Sequence, residues 1–136
     1  MANINRSQIA EAIFNRLSKS NSGVSAGLKP RREGVPVRTE HNNPVAVMKE
    51  MGYDMSKATV KRLTKRRAES AGRIVLILDR KHLKDIPVYL RNRTNVELWE
   101  VGSIGDDAPH EEYRRLEKKR ILKIEALVND LVGRIG

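Results

Sequence analysis

Apolar residues recur at helical spacing through residues 7–17, where Ile9, Ile13, Phe14 and Leu17 share one face and Gln8, Glu11, Asn15 and Arg16 take the other. Ser7 reads as the N-cap of this helix. A short strand is predicted over 23–26, closed by Gly27. The stretch onward to His41, with Pro30, Gly34 and Pro36, has loop chemistry and no sustained period, which predicts a long exposed loop. Asn43 followed by Pro44 is a cap and first-turn pair that opens a helix carrying Val45, Val47, Met48 and Met51, and Gly52 stops it. Ser56 reads as the cap of a further short helix carrying Val60 and Leu63.

The pattern changes in the second half of the chain. Residues 74–78 are an unbroken apolar run without alternation, the signature of a strand buried on both faces of a parallel sheet. Asp79 ends that run and reads as structural. Residues 79–95 are irregular or partly helical with Pro87 as a break, and 96–101, containing the sole tryptophan Trp99, is a second buried strand. After a polar loop at 102–109, a long helix begins at His110. Tyr113, Leu116, Ile121, Ile124, Val128, Leu131 and Ile135 form its buried side, with Arg114, Lys118, Lys119 and Lys123 outside. Helices alternating with strands predict an α/β doubly wound domain with a parallel sheet. Such a fold normally begins with a strand feeding the first helix, whereas here only six residues precede Ser7.

Composition narrows the chemistry. The 136 residues suit one domain with one core. Hydrophobic content of 39% and charged content of 32% are ordinary for a folded soluble protein, and no apolar run approaches the length that spans a bilayer. Arg6, Glu11 and Arg16 interrupt the first helical segment, so it is no secretory signal and a cytoplasmic location is expected. There is no cysteine, which excludes disulfides, thiolate metal sites and any cysteine nucleophile within the chain. His41, His82 and His110 share no metal-ligand spacing, so no metal or cofactor is expected.

Charge raises a rival function. Lys and Arg number 27 against 17 Asp and Glu, a net charge of +10, with clusters at 29–32, 61–67 and 114–123. Such a balance is one footprint of nucleic-acid binding. Aromatic content of only 4% and the lack of stacking or helix-turn-helix signatures argue against it. Solvated helix faces and a positive field that attracts anionic substrates account for the charge better.

Ligand sites in open parallel sheets lie where a strand end turns into a helix N-terminus. Here that turn is Met1-Ala2-Asn3-Ile4-Asn5-Arg6. Consecutive backbone N–H groups at Asn3, Ile4 and Asn5, the helix dipole and the Arg6 guanidinium together suit a tetrahedral dianion such as phosphate.

Residues 1–14, Met-Ala-Asn-Ile-Asn-Arg-Ser-Gln-Ile-Ala-Glu-Ala-Ile-Phe, resemble the phosphate-binding loop and first helix of the low-molecular-weight protein tyrosine phosphatase and arsenate reductase superfamily. That loop is Cys, five residues, Arg, Ser, with Asn three after the Cys. Asn3, Arg6 and Ser7 match it, and Ile4 fills a commonly apolar position. Further ordered matches are Ser25-Ala26-Gly27, Gly52-Tyr53-Asp54-Met55-Ser56, Lys61-Arg62-Leu63-Thr64, Trp99-Glu100-Val101 and Glu112-Tyr113-Arg114-Arg115. The resemblance implies a three-layer α/β/α fold with its first strand missing, so that residues 1–136 are a single, N-terminally incomplete domain.

It also implies a mechanism. A Cys thiolate attacks phosphorus, the loop N–H groups and Arg6 stabilise the oxyanions, Ser7 helps hold the thiolate, Asn3 and Ser25 fix the loop, and an Asp protonates the leaving oxygen. The Cys would fall immediately before Met1. The family's Asp-Pro positions hold Ser103 and Ile104 here, so Asp106 or Asp107, further along the same loop, are the candidate acids. The absence of any cysteine disfavours a thiol-relay arsenate reductase. The implied substrate is a phosphorylated protein or small phosphomonoester: phosphotyrosine, a phosphoarginine-like group or a small ester.

Two explanations fit the missing Cys. Either the natural chain begins upstream with an apolar strand ending in Cys, which also accounts for the missing strand, or this is a catalytically dead form that serves as a phosphate-binding or interaction domain. In either case the chain as given is expected to be inactive. Since the family's first strand is interior, its neighbours would lack a pairing partner. The expected outcome is a broad, weakly cooperative thermal transition by circular dichroism. A sharp transition from a monomer with native-like amide protection would contradict it.

Overall fold

The computed structural model describes residues 2–104 and 108–135. Five α-helices are present among them: α1 (Arg6–Leu17), α2 (Val45–Glu50), α3 (Lys65–Ser70), α4 (Val88–Arg91) and α5 (His110–Ile135). Two strands, β1 (Ile74–Ile77) and β2 (Val96–Trp99), pair in parallel with Ile74 opposite Val96 and Ile77 opposite Trp99. A parallel pair needs a crossover. It runs through a 3₁₀ turn at Arg80–Asp85 and then α4, which starts just after Pro87. The expected α/β class with a parallel sheet is therefore present. No helix of the described residues is long and apolar enough to cross a membrane.

The core forms where α1 packs on α5. Ile9 and Ile13 of α1 share one buried cluster with Ile121, Ile124, Val128 and Leu131 of α5, and Val37, Val47, Met48, Tyr53, Met55, Val60, Trp99 and Val101 complete it. The buried Tyr53, just after α2, donates from its hydroxyl to Glu125 on α5 at 2.5 Å. Helix α2 stops where expected: Gly52 takes φ +94°, a left-handed backbone that glycine adopts without strain.

Several sequence expectations are corrected. Residues 23–26 form no strand; Gly27 makes an isolated parallel bridge to Arg62, and Val24 is largely exposed. The 27–41 stretch is less exposed than its composition suggests, because Val37 is fully buried and Pro36 bridges Thr59. No helix follows Ser56. Val60 is buried in extended chain, with its N–H donating to Val35 O at 2.9 Å, and the helix starts later at α3, capped by Thr64 Oγ1 accepting from Arg67 N at 3.1 Å. Tertiary pairing with the 27–36 segment outweighs local helix chemistry there.

The run at 74–78 is a strand, but all four β1 residues are half-buried rather than enclosed, and Leu98 of β2 is 40% exposed. Among the described residues β1 has only β2 beside it, and a two-stranded sheet shields few side chains fully.

Candidate oxyanion site

Helix α1 begins one residue earlier than the sequence suggests. Asn5, not Ser7, holds the N-cap position, and it makes no side-chain cap. Ser7 lies inside the first turn. Among the described residues the N–H groups of Arg6, Ser7 and Gln8 have no acceptor; the first helical bond is Ile9 N to Asn5 O at 2.9 Å. These orphan donors and the positive end of the helix dipole share one small volume.

Asn3 shapes the loop ahead of that turn. It is 2% exposed, with φ of +60°. Asparagine tolerates this left-handed conformation better than other residues with a Cβ. Here all four hydrogen-bonding positions of the amide are used. Nδ2 donates to Ser7 Oγ and to Ser25 Oγ, both at 2.9 Å, while Oδ1 accepts from Gln8 Nε2 and Lys61 N, both at 2.8 Å. Ser25 is held in turn by Glu11, which accepts from its N–H at 2.6 Å and its hydroxyl at 3.1 Å. Gln8 therefore faces inward, contrary to its expected outer position: it is 1% exposed and also donates to Thr59 O at 2.8 Å. Asparagine and glutamine can be buried when their amides are satisfied this fully. Ile4 packs partly buried against the core.

Arg6 is the first residue of α1 and its side chain is 12% exposed. Its Nη1 donates to Asp79 Oδ1 at 3.1 Å and to Val101 O. These acceptors stand at the carboxyl ends of the two parallel strands. The Nε–Nη2 edge of the guanidinium has no partner among the described residues, so a forked pair of donors stays available for an oxyanion. Asp79 Oδ2 accepts from Ser103 Oγ at 3.3 Å. A cleft of about 270 Å³ lined by Leu78, Asp79, Arg80, Glu100, Val101 and Gly102 opens beside this pair.

On the other flank, Asn5 points its side chain at α5. Its Nδ2 donates to Asn42 O at 2.9 Å and Glu117 Oε2 at 3.0 Å, and its Oδ1 accepts from Arg120 Nη2. Glu117 is fully buried and Arg120 is 8% exposed; they pair at 2.9 Å. Tyr113 donates to Asn42 O at 3.2 Å. Burial, reinforced by the Glu117 charge, pushes the Tyr113 phenol up to about 12.

The structure thus brings together Asn3, Ile4, Asn5, Arg6, Ser7 and Ser25. Asp106 and Asp107 lie outside the described residues. Sequence reasoning missed three participants. Asp79, taken as structural, is the ion-pair partner of Arg6, and its place at the end of a parallel strand was the available signal. Glu117 and Arg120 were overlooked because charged residues are rarely buried, although both are in phase with Ile121, Ile124 and Val128.

Residues 1–112 match the family model described as low molecular weight phosphotyrosine protein phosphatase. The chain belongs to this family. Among solved structures it is similar to the low molecular weight protein tyrosine phosphatase from T. tengcongensis, with 28% identity over 99% of this chain and 95% of that one and a TM-score of 0.73. It is also similar to the arsenate reductase from Archaeoglobus fulgidus DSM 4304, with 26% identity, 98% and 94% coverage and a TM-score of 0.67. No curated protein sequence matches it significantly. The matched span takes in the α1 N-terminal turn described above, in a chain that contains no cysteine.

Two measurements test this geometry. Asn3→Ala removes two buried donors and two buried acceptor contacts and puts alanine at φ +60°, so the urea midpoint should fall by the equivalent of about 2–3 kcal/mol. Tyr53 and Tyr113 should both ionise near pH 12 in an ultraviolet titration, Tyr53 because of burial and then its bond to Glu125. An unfolded phenol ionises near 10. The unfolded chain therefore loses these protons first, and folding stability should be intact below about pH 10 and fall as pH rises towards about 12.

Proposed function

We propose that this chain is the phosphate-holding body of a phosphomonoester hydrolase of the low molecular weight phosphatase type, and that it binds the oxyanion without cleaving the ester. The observation that carries the reading is that, among the described residues, first-turn amides on α1 without an acceptor coincide with an Nε–Nη2 edge of Arg6 that has no partner. Amide donors, a helix dipole and a forked cation at one point are the means by which proteins hold a tetrahedral dianion.

In this reading the loop N–H groups of Asn3, Ile4 and Asn5 and the α1 donors meet the phosphate oxygens, and Arg6 grips two of them. Asn3 and Ser25 keep the loop in shape. Ser7, already accepting from Asn3, has its hydroxyl proton to offer at the floor of the site. Asp106 or Asp107 would supply a proton to a leaving oxygen. The covalent route that the family resemblance implies runs through a thiolate, which no residue of the chain provides. The substrate class is a phosphorylated protein or small phosphomonoester.

The absence of cysteine favours the second reading, a non-catalytic phosphate-binding or interaction domain on the same fold, over hydrolysis by this chain alone. The basic clusters lend little to nucleic-acid binding, since Lys29, Arg32, Lys61, Arg62, Arg114 and Lys118 all pair with carboxylates.

Calorimetric titration with inorganic phosphate should show binding that Arg6→Ala weakens by about 10- to 100-fold, the value of a charge-assisted hydrogen-bond pair. p-Nitrophenyl phosphate should not turn over. Phosphate affinity indifferent to Arg6, or turnover by the cysteine-free chain, would overturn the proposal.

A further inference from the structure

Asparagine is among the best N-cap residues because its Oδ1 folds back over the amides of the first helical turn. Asn5 occupies that position on α1 and does not do so. Its backbone, at φ −123° and ψ −93°, lies away from the extended geometry of an ordinary N-cap, and its Oδ1 is taken by Arg120 Nη2. Its Nδ2 is divided between Glu117 and the Asn42 carbonyl.

The pair responsible is expensive to bury. Glu117 and Arg120 sit on the core face of α5 beside Ile121 and Ile124, where an ion pair gains little over apolar side chains of the same size. Their hydrogen bonds are nonetheless extensively matched. Glu117 Oε1 accepts from Arg120 Nε at 3.2 Å and Nη2 at 2.9 Å, Oε2 accepts from Asn5, and Arg120 Nη1 reaches Gly102 O at 3.4 Å. That last contact ties the same cluster to the loop following β2. Both members of the pair are bonded to the side chain at the α1 N-cap position.

We propose that Glu117 and Arg120 are positioning residues that keep the oxyanion site open, by holding the Asn5 side chain against α5 so that it does not cap the amides the anion requires. The inference rests on the reading of the α1 N-terminus as a phosphate site. Without the pair, Asn5 Oδ1 would compete with phosphate for the same donors, and the helix would satisfy itself.

The test replaces the pair with apolar residues of similar size, Glu117→Leu with Arg120→Met, a change that leaves no buried charge unpaired. This variant should melt no lower than the parent yet bind inorganic phosphate about fivefold more weakly, the equivalent of one typical cap. Adding Asn5→Ala should restore most of the affinity, a rescue that a purely structural role would not give. Undiminished phosphate binding in the apolar variant, or no recovery with Asn5→Ala, would overturn the proposal. Should the apolar variant fail to fold, Asn5→Ser decides. A serine caps locally but is too short to reach α5, so it should bind phosphate more weakly than both the parent and Asn5→Ala. Equal affinities would overturn the proposal. If the parent itself binds no phosphate, the functional reading fails, and amide exchange still judges the positioning role: first-turn protection at 6–8 should rise in the apolar variant and fall again with Asn5→Ala, and unchanged exchange would overturn it.

Discussion

Among the described residues the first-turn amides of α1 have no acceptor, and much of the surrounding polar architecture follows from that constraint. A helix beginning in the middle of a fold normally closes its own end with a side chain or a turn. Here the residues able to do so are engaged elsewhere. Asn3 spends its amide on Ser7, Ser25, Gln8 and Lys61, and Asn5 spends its amide on α5 and Asn42. The open donors persist because their local competitors are bonded to something better.

This arrangement links parts of the chain that are far apart in sequence. Asn3 joins the loop to residues 25 and 61, Arg6 joins it to the ends of β1 and β2, and Asn5 joins it to α5. These hydrogen bonds tie one short loop to the chain at Ser25 and Lys61, to the residues that follow β1 and β2, and to α5. The left-handed backbone of Asn3 fits this picture, since asparagine is among the few residues other than glycine that take up this conformation readily. The apolar packing of α1 on α5 supplies the platform, and the polar links set the shape upon it.

The electrostatics are arranged with similar economy. The chain is strongly basic, with a net charge of +10, yet the cation at the site is partly neutralised by Asp79. That carboxylate holds one edge of the guanidinium and leaves the other open, which converts a flexible arginine into an oriented fork. Ser103 donates to the same carboxylate. That bond makes the loop after β2 part of the support for Arg6.

The sequence by itself determined the helices α1, α2 and α5, the two parallel strands, and the identity of the loop residues Asn3, Arg6 and Ser7. Those features are written in local periodicity and in the ordered spacing of a family motif, and both survive without knowledge of the partners. It misread 23–26 and 56–63 because isolated bridges and extended core segments depend on what lies across from them. It also could not show which way a polar side chain turns. Periodicity puts Gln8 on the outer face and gives no sign that Glu117 and Arg120 are buried. Burial of a polar group is decided by whether distant residues complete its hydrogen bonds, and only the tertiary structure assembles those partners.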